Sequence, residues 1–180
     1  MACINLNPGR YSKRHSGKKK PYPSYNYSNP DAVEKLTAYM INPDKTCEAY
    51  ISYYNVPSTS PEVVQDSFKA VQKLYGKEEG RHAEHFVISL NSAESEMLGV
   101  EGITKIAKEY CASFAEEYQV VSAVHLEKEK QLHFHVEINP VSFKTGKRLH
   151  KDGKFLREQR AIVKTLVNKE LQNYNPIDRH

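Results

Sequence analysis

Three histidines crowd the stretch "HLEKEKQLHFHVEINP", residues 125 to 140: His125, His133 and His135, at spacings of eight and two. Neutral imidazoles are good ligands for a divalent transition metal, and three protein ligands leave positions open for a substrate. A site open in this way acts as a Lewis acid on a carbonyl or phosphoryl oxygen. The competing interpretation is an outer sheet face whose polar residues happen to be histidines. Convergence of the three rings, with Glu127 and Asn139 nearby, favours the metal, so the elements that carry them matter first.

From Leu132 onward apolar and polar residues alternate without a break. Leu132, Phe134, Val136 and Ile138 fall on one side, and His133, His135, Glu137 and Asn139 on the other. Strict alternation predicts a β-strand with one face in the core, so His133 and His135 point the same way. The preceding "YQVVSAVHLE" is rich in β-branched residues and reads as another strand. Val120, Ser122, Val124 and Leu126 line one of its faces, His125 and Glu127 the other. Lys128, Glu129 and Lys130 between the strands suit a short hairpin loop. If Glu127 pairs with Gln131, His125 lies directly opposite His133, with Cβ atoms about 4.5–5.5 Å apart. No glycine pins the turn, and a slip of one residue would turn one strand's histidines to the wrong face.

The chain of 180 residues is long enough for one domain with a real core. Its 27% charged and 39% hydrophobic residues are ordinary for a soluble protein. No apolar run approaches membrane-spanning length, and the N-terminus lacks a secretory segment. Cys3, Cys47 and Cys111 are scattered and match no zinc pattern, which suits a reducing cytoplasm. The net charge of +4 is unevenly placed. Arg10, Lys13, Arg14, Lys18, Lys19 and Lys20 precede the first acidic residue, Asp31. Residues 1–29 therefore read as a flexible basic arm and 30–180 as the globular domain. Such an arm either contacts nucleic-acid phosphates or is simply a solubilising tail. Tyr22, Tyr25 and Tyr27 in "PYPSYNYSNP" suit stacking on bases.

Beyond the arm, helices and strands alternate. "SNPDAVEKLTAYM" opens a helix with Asn29 as cap, Pro30 at its first position and Asp31 in the first turn. "EAYISYYNV" reads as a strand, and "SPEVVQDSFKAVQKLYG" as a helix stopped by Gly76. "AEHFVISLN" alternates, with His85, Val87 and Ser89 on one face. His85 and Ser89 could border the site, although satisfied polar residues on a sheet are the simpler reading. "ITKIAKEYCASFAEEY" and "FLREQRAIVKTLVNKEL" carry apolar stripes at helical spacing. "KTGKRLHKDGKF" is a basic connection holding Lys144, Lys147 and Arg148, with Gly146 and Gly153 as turn residues. The hairpin calls for an α+β fold, a central antiparallel sheet with helices packed on one face.

"HFH" followed by "EINP", with a histidine eight residues upstream, resembles the metal motif of the relaxases. These are mobilisation proteins of conjugative and mobilisable elements, within the HUH endonuclease superfamily. "LTAYMINPDKT" resembles the segment that supplies the relaxase tyrosine, and "EHFVISL" the strand that follows it. The resemblance runs from about Asp31 to the last helix. It implies a central antiparallel sheet flanked by helices, with the histidines at its centre. It implies nicking of single-stranded DNA at an origin of transfer, with a 5′-phosphotyrosyl link and a free 3′-hydroxyl. His125, His133 and His135 would be the ligands and Tyr39 the nucleophile. The cofactor would be a divalent metal, magnesium or manganese ahead of zinc, and accessory mobilisation proteins would be possible partners. Relaxases usually begin with a short strand, for which "ACINL" is one source. The chain stops soon after its last helix, as a minimal nuclease or one part of a longer protein would.

A phenol with a pKa of about 10 needs help at neutral pH, from a metal or a general base. Glu127 is a candidate for orienting a histidine or handling that proton; a salt bridge to Lys128 or Lys130 is the alternative. Lys45 in the tyrosine segment joins Lys144, Lys147, Arg148 and the arm as candidate DNA contacts. A replication initiator or single-strand transposase of the same superfamily is the nearest rival, but transposases tend to carry the tyrosine after the histidine strand. A non-catalytic metal-stabilised DNA-binding module, or a metal-dependent hydrolase of small substrates, would form no covalent adduct with DNA.

Overall fold

The computed structural model describes residues 3–5, 27–57, 60–127 and 131–174. Strands β1 (Cys3–Asn5), β2 (Ile51–Tyr54), β3 (Glu84–Ser89), β4 (Val120–His125) and β5 (His133–Ile138) form one sheet. Their order is β1-β3-β5-β4-β2, and each neighbouring pair is antiparallel. The fold class is therefore the α+β plan expected. The first strand does come from "ACINL", paired with β3 through Cys3 opposite Ser89. Most of the basic arm, residues 6–26, lies outside the described residues.

The expectation of helices on one face is corrected, because they cover both. Helices α3 (Ser92–Ala115) and α4 (Gly153–Asn173) bury the side lined by Val120, Val124, Phe134, Val136 and Ile138. Ile103, Ile106, Tyr110 and Phe114 meet Val163, Leu166 and Val167 there. Truncating the fully buried Phe134 to alanine would cost about 3–5 kcal/mol. Helices α1 (Ala32–Met40) and α2 (Pro61–Leu74) pack on the histidine side. The physical reason lies in β4, where Val121 and Ala123 share the face of His125. They are fully buried against Val33, Leu36, Met40, Val64 and Phe68. Half of that face is apolar and needs a cover of its own.

Several element boundaries shift for local reasons. Helix α1 starts at Ala32 with Asp31 as cap, so Pro30 lies outside it and Asn29 only lends its carbonyl to Ala32 N (3.0 Å). "EAYISYYNV" divides into a 3-10 turn at Glu48–Tyr50 and β2. It ends at Asn55, whose left-handed backbone (φ 58°) stops the strand. Helix α2 keeps its Ser60 cap and Pro61 start. Helix α3 begins well before Ile103, at a capping box of Asn91 and Glu94, and kinks at Gly99. Gly146 is a turn residue (φ 68°) pressed on the Tyr75 ring, but Gly153 is the first helical residue after the Asp152 cap.

Candidate metal and nucleophile site

The register of β4 and β5 brings the histidines together. His125 is directly opposite His133, and Ala123 opposite His135. All three rings stand on one face, each buried, and one ligand nitrogen from each lies within 4.8 Å of the others. The ring centroids of His125 and His135 are 4.3 Å apart, and those of His125 and His133 5.2 Å.

Hydrogen bonds at the outer edges of His125 and His135 select which nitrogen of each faces inward. His125 Nε2 donates to the backbone carbonyl of Met40 at 2.9 Å. His135 Nδ1 lies 2.8 Å from Nε2 of His85. The inward atoms, His125 Nδ1 and His135 Nε2, are buried and have no hydrogen-bond partner. Orphaned buried nitrogens are costly unless something satisfies them, and a divalent cation does so. Burial holds His125, His135 and the neighbouring His85 neutral. It pushes His125 down to about 4, His85 to about 3 and His135 well below the usual histidine value, with the neighbouring histidines adding repulsion. Neutral rings with inward lone pairs are the state that coordinates. The triad fits a divalent ion.

Helix α1 delivers Tyr39 to this group one residue before the helix ends. Its ring meets His125 and His135 edge-on, with centroids 5.5 and 5.4 Å away. After the helix, Asn42 makes a tight turn, its carbonyl accepting from Lys45 N and Thr46 N and its side chain from Asp44 N. That turn sets the Lys45 ammonium over the Tyr39 ring, 4.1 Å from its centroid. The same ammonium pairs with Glu127 at 3.7 Å. Glu127 thus meets Lys45, while Lys128 and Lys130 fall outside the described residues.

A family model described as relaxase, MobA/VirD2-like, nuclease domain, matches residues 39–170, well over half of the chain. The chain belongs to this family. It is a relaxase nuclease domain, of a family that nicks DNA. The matched span includes Tyr39 and all three histidines. No individual curated protein matches the chain significantly. No helix among the described residues is long and apolar enough to cross a membrane.

Two further buried residues, His85 and Glu137, lie beside the triad, and neither received a role from the sequence. His85 is no bystander on its strand, since it backs His135 directly and its Nδ1 meets the Tyr27 hydroxyl at 2.7 Å. Tyr27 is 5% exposed, so its ring is not available for stacking on bases, and Tyr22 and Tyr25 lie outside the described residues. Glu137 shares the histidine face and is completely buried. Burial raises its carboxyl to about 8, partly opposed by the Thr37 hydroxyl at 2.7 Å. Its place two residues after His135 was the available signal. Asn139 serves the fold: it bonds Phe68 O, Gln119, Gln72 and Val141 N. Ser89 faces His133 across the strand pair.

The basic candidates separate by environment. Lys45 sits at the triad, while Lys144 and Lys147 are exposed on the turn before α4. Arg148 gives its guanidinium to the carbonyls of Lys77, Glu79 and Arg81, tying that turn to the loop ahead of β3. Arg10, Lys13, Arg14, Lys18, Lys19 and Lys20 lie outside the described residues.

Proposed function

We propose that this relaxase domain cuts and rejoins one strand of DNA at an origin of transfer, in the cytoplasm, to mobilise a plasmid or other mobile element. Tyr39 is its nucleophile. The observation that supports this most is the contact of the Tyr39 ring with two histidines whose inward nitrogens have no partner. His125, His133 and His135 would hold a divalent ion, magnesium or manganese, with zinc also suited to nitrogen ligands. Such an ion supplies charge stabilisation to a phosphoryl oxygen.

The remaining steps belong to the chain. Tyr39 Oη forms a bond to phosphorus as the bond from phosphorus to the 3′ oxygen breaks. The phenol proton leaves and a proton is taken up by the 3′ oxygen, giving a 5′-phosphotyrosine and a free 3′-hydroxyl. Glu127 is the proposed acceptor of the phenol proton, since its carboxylate pairs with the ammonium over the Tyr39 ring. Lys45 also offers its charge to the incoming phosphate. One phosphodiester is exchanged for another, so attack by a 3′-hydroxyl reverses the step without an energy source. Lys144, Lys147 and the basic arm are proposed to hold the flanking strand, with Arg148 acting through the turn it anchors.

The test is incubation with single-stranded DNA and manganese, followed by denaturing electrophoresis and peptide mapping. A denaturation-resistant adduct on Tyr39 is the expected result. Binding without an adduct would instead make the protein a metal-stabilised DNA-binding module. Adduct formation on replication-origin but not transfer-origin DNA would indicate an initiator.

A further inference from the structure

Behind His135 stands an unusual support. A metal-binding histidine ordinarily gives its second N–H to a carboxylate, a carbonyl or water. Here the atom 2.8 Å from His135 Nδ1 is a nitrogen, Nε2 of His85, and the two rings stack with centroids 5.1 Å apart. His85 in turn meets the Tyr27 hydroxyl through Nδ1 at 2.7 Å. The three side chains are 3–5% exposed. Glu137 is directly opposite His85 in register, but its Oε2 accepts from the Thr37 hydroxyl. His135 lies on the diagonal from His85, within reach of a long side chain.

We propose that His85 is the positioning residue of the triad: with Tyr27 it forms a neutral relay that holds the His135 ring with Nε2 inward and accepts its Nδ1 proton when a cation binds. This rests on the reading of the three histidines as a metal site. Two ring nitrogens at 2.8 Å hold one proton between them, because two lone pairs repel and two N–H groups clash. If the proton is on His135 Nδ1, then His135 Nε2 is a lone pair ready for a cation. His85 then carries its own proton on Nδ1 and donates it to Tyr27 Oη. If the proton is instead on His85 Nε2, His135 must carry a hydrogen on its inward nitrogen, which blocks coordination. His85 Nδ1 then accepts from the Tyr27 hydroxyl. A hydroxyl is the one common partner that serves both arrangements, since it accepts in the first and donates in the second. Tyr27 therefore keeps the relay satisfied while the cation chooses the tautomer. A neutral imidazole draws on the His135 proton less strongly than a carboxylate would, so the chain accepts a weaker ligand and leaves more charge on the bound ion.

The experiment combines zinc calorimetry with imidazole ¹⁵N spectra of the zinc-loaded wild-type protein. His85→Leu removes the acceptor, and should lower zinc affinity by roughly 10- to 100-fold. His85→Gln can return an acceptor oxygen near the Nε2 position and should recover most of it. Tyr27→Phe should give a smaller loss in the same direction. The spectra should show His85 protonated on Nδ1 and bare on Nε2. That readout uses the wild-type chain and stands even if His85→Leu fails to fold. A zinc-loaded His85 protonated on Nε2, or a folded His85→Leu protein that binds zinc as tightly as wild type, overturns the relay. His133→Ala separates the two ideas: if it binds zinc normally, the triad is not the metal site, whereas loss there with none in His85→Leu condemns the relay alone.

Discussion

The hydroxyl of Thr37 donates a 2.7 Å hydrogen bond to Oε2 of Glu137, joining the helix that carries Tyr39 to the strand that carries His135. A second tie runs from His125 Nε2 to the carbonyl of Met40. Tyr39 lies between these two fastenings on α1, so its ring is placed on the triad by bonds that it does not make itself. Thr37→Val keeps the shape but leaves the carboxyl unpaired, costing about 1–3 kcal/mol of stability. It should also slow adduct formation at saturating DNA by 10-fold or more, since about 1 Å of misplacement costs as much as ~100-fold. Thr37→Ser should restore both. A Thr37→Val enzyme with an unchanged single-turnover rate would show that this bond does not place the nucleophile.

The buried titratable groups predict a stability maximum close to neutrality for the metal-free protein. The histidines are depressed, His85 to about 3 and His125 to about 4, with His135 also low. The unfolded chain therefore takes up protons that the folded one refuses. Stability is fully present above about pH 6.5 and is lost as pH falls towards 3–4. Glu137 has the opposite sign: its raised value of about 8 means that the folded state keeps a proton which the unfolded state gives up above about 4.5. Stability falls between those values, by about 1.4 kcal/mol for each pH unit at most. Urea unfolding with a chelator should therefore weaken from about pH 6.5 to 8 in wild type and much less in Glu137→Gln. Parallel curves for the two proteins would remove Glu137 from the account.

Tyr39→Phe deletes one oxygen from a half-buried ring whose packing on His125 and His135 is otherwise kept. Folding and zinc affinity should survive, and the covalent 5′ adduct should vanish. Slow cutting without an adduct, from water attacking the same phosphate, is scored separately. Full-rate adduct formation by this variant, or a mapped nucleotide on another residue, would exclude Tyr39 as nucleophile.

Replacing Arg10, Lys13, Arg14, Lys18, Lys19 and Lys20 with glutamine removes six positive charges and leaves strand β1 (Cys3–Asn5) in the sheet. Binding of single-stranded DNA should weaken and its salt dependence should flatten, since fewer counterions are released. Chemistry at saturating DNA should hardly change. Lys45→Met should behave differently, because its ammonium covers the Tyr39 ring, and should lower the single-turnover rate even when DNA is saturating. Filter binding across a salt series, paired with quenched-flow rates, distinguishes the two. A neutralised arm with an unaltered salt slope would mean that these six side chains make no phosphate contact.

The amino-acid sequence by itself determined the periodic features. Alternation from Leu132 to Asn139 put His133 and His135 on one face, and the short gap after Glu127 put His125 opposite them. The Tyr39 segment and the histidine motif also carried the family, because both are contiguous. What surrounds the triad was decided only by tertiary structure. The bond from His85 to His135 runs diagonally between strands 50 residues apart in sequence, and that from Thr37 to Glu137 spans 100. The cover of α1 and α2 turns a polar strand face into an interior one, and so makes Glu137 a buried acid and Tyr27 a buried phenol. Strand period is a property of the local backbone. Burial, tautomer and proton affinity depend on which distant element closes over a side chain, and no local pattern encodes that choice.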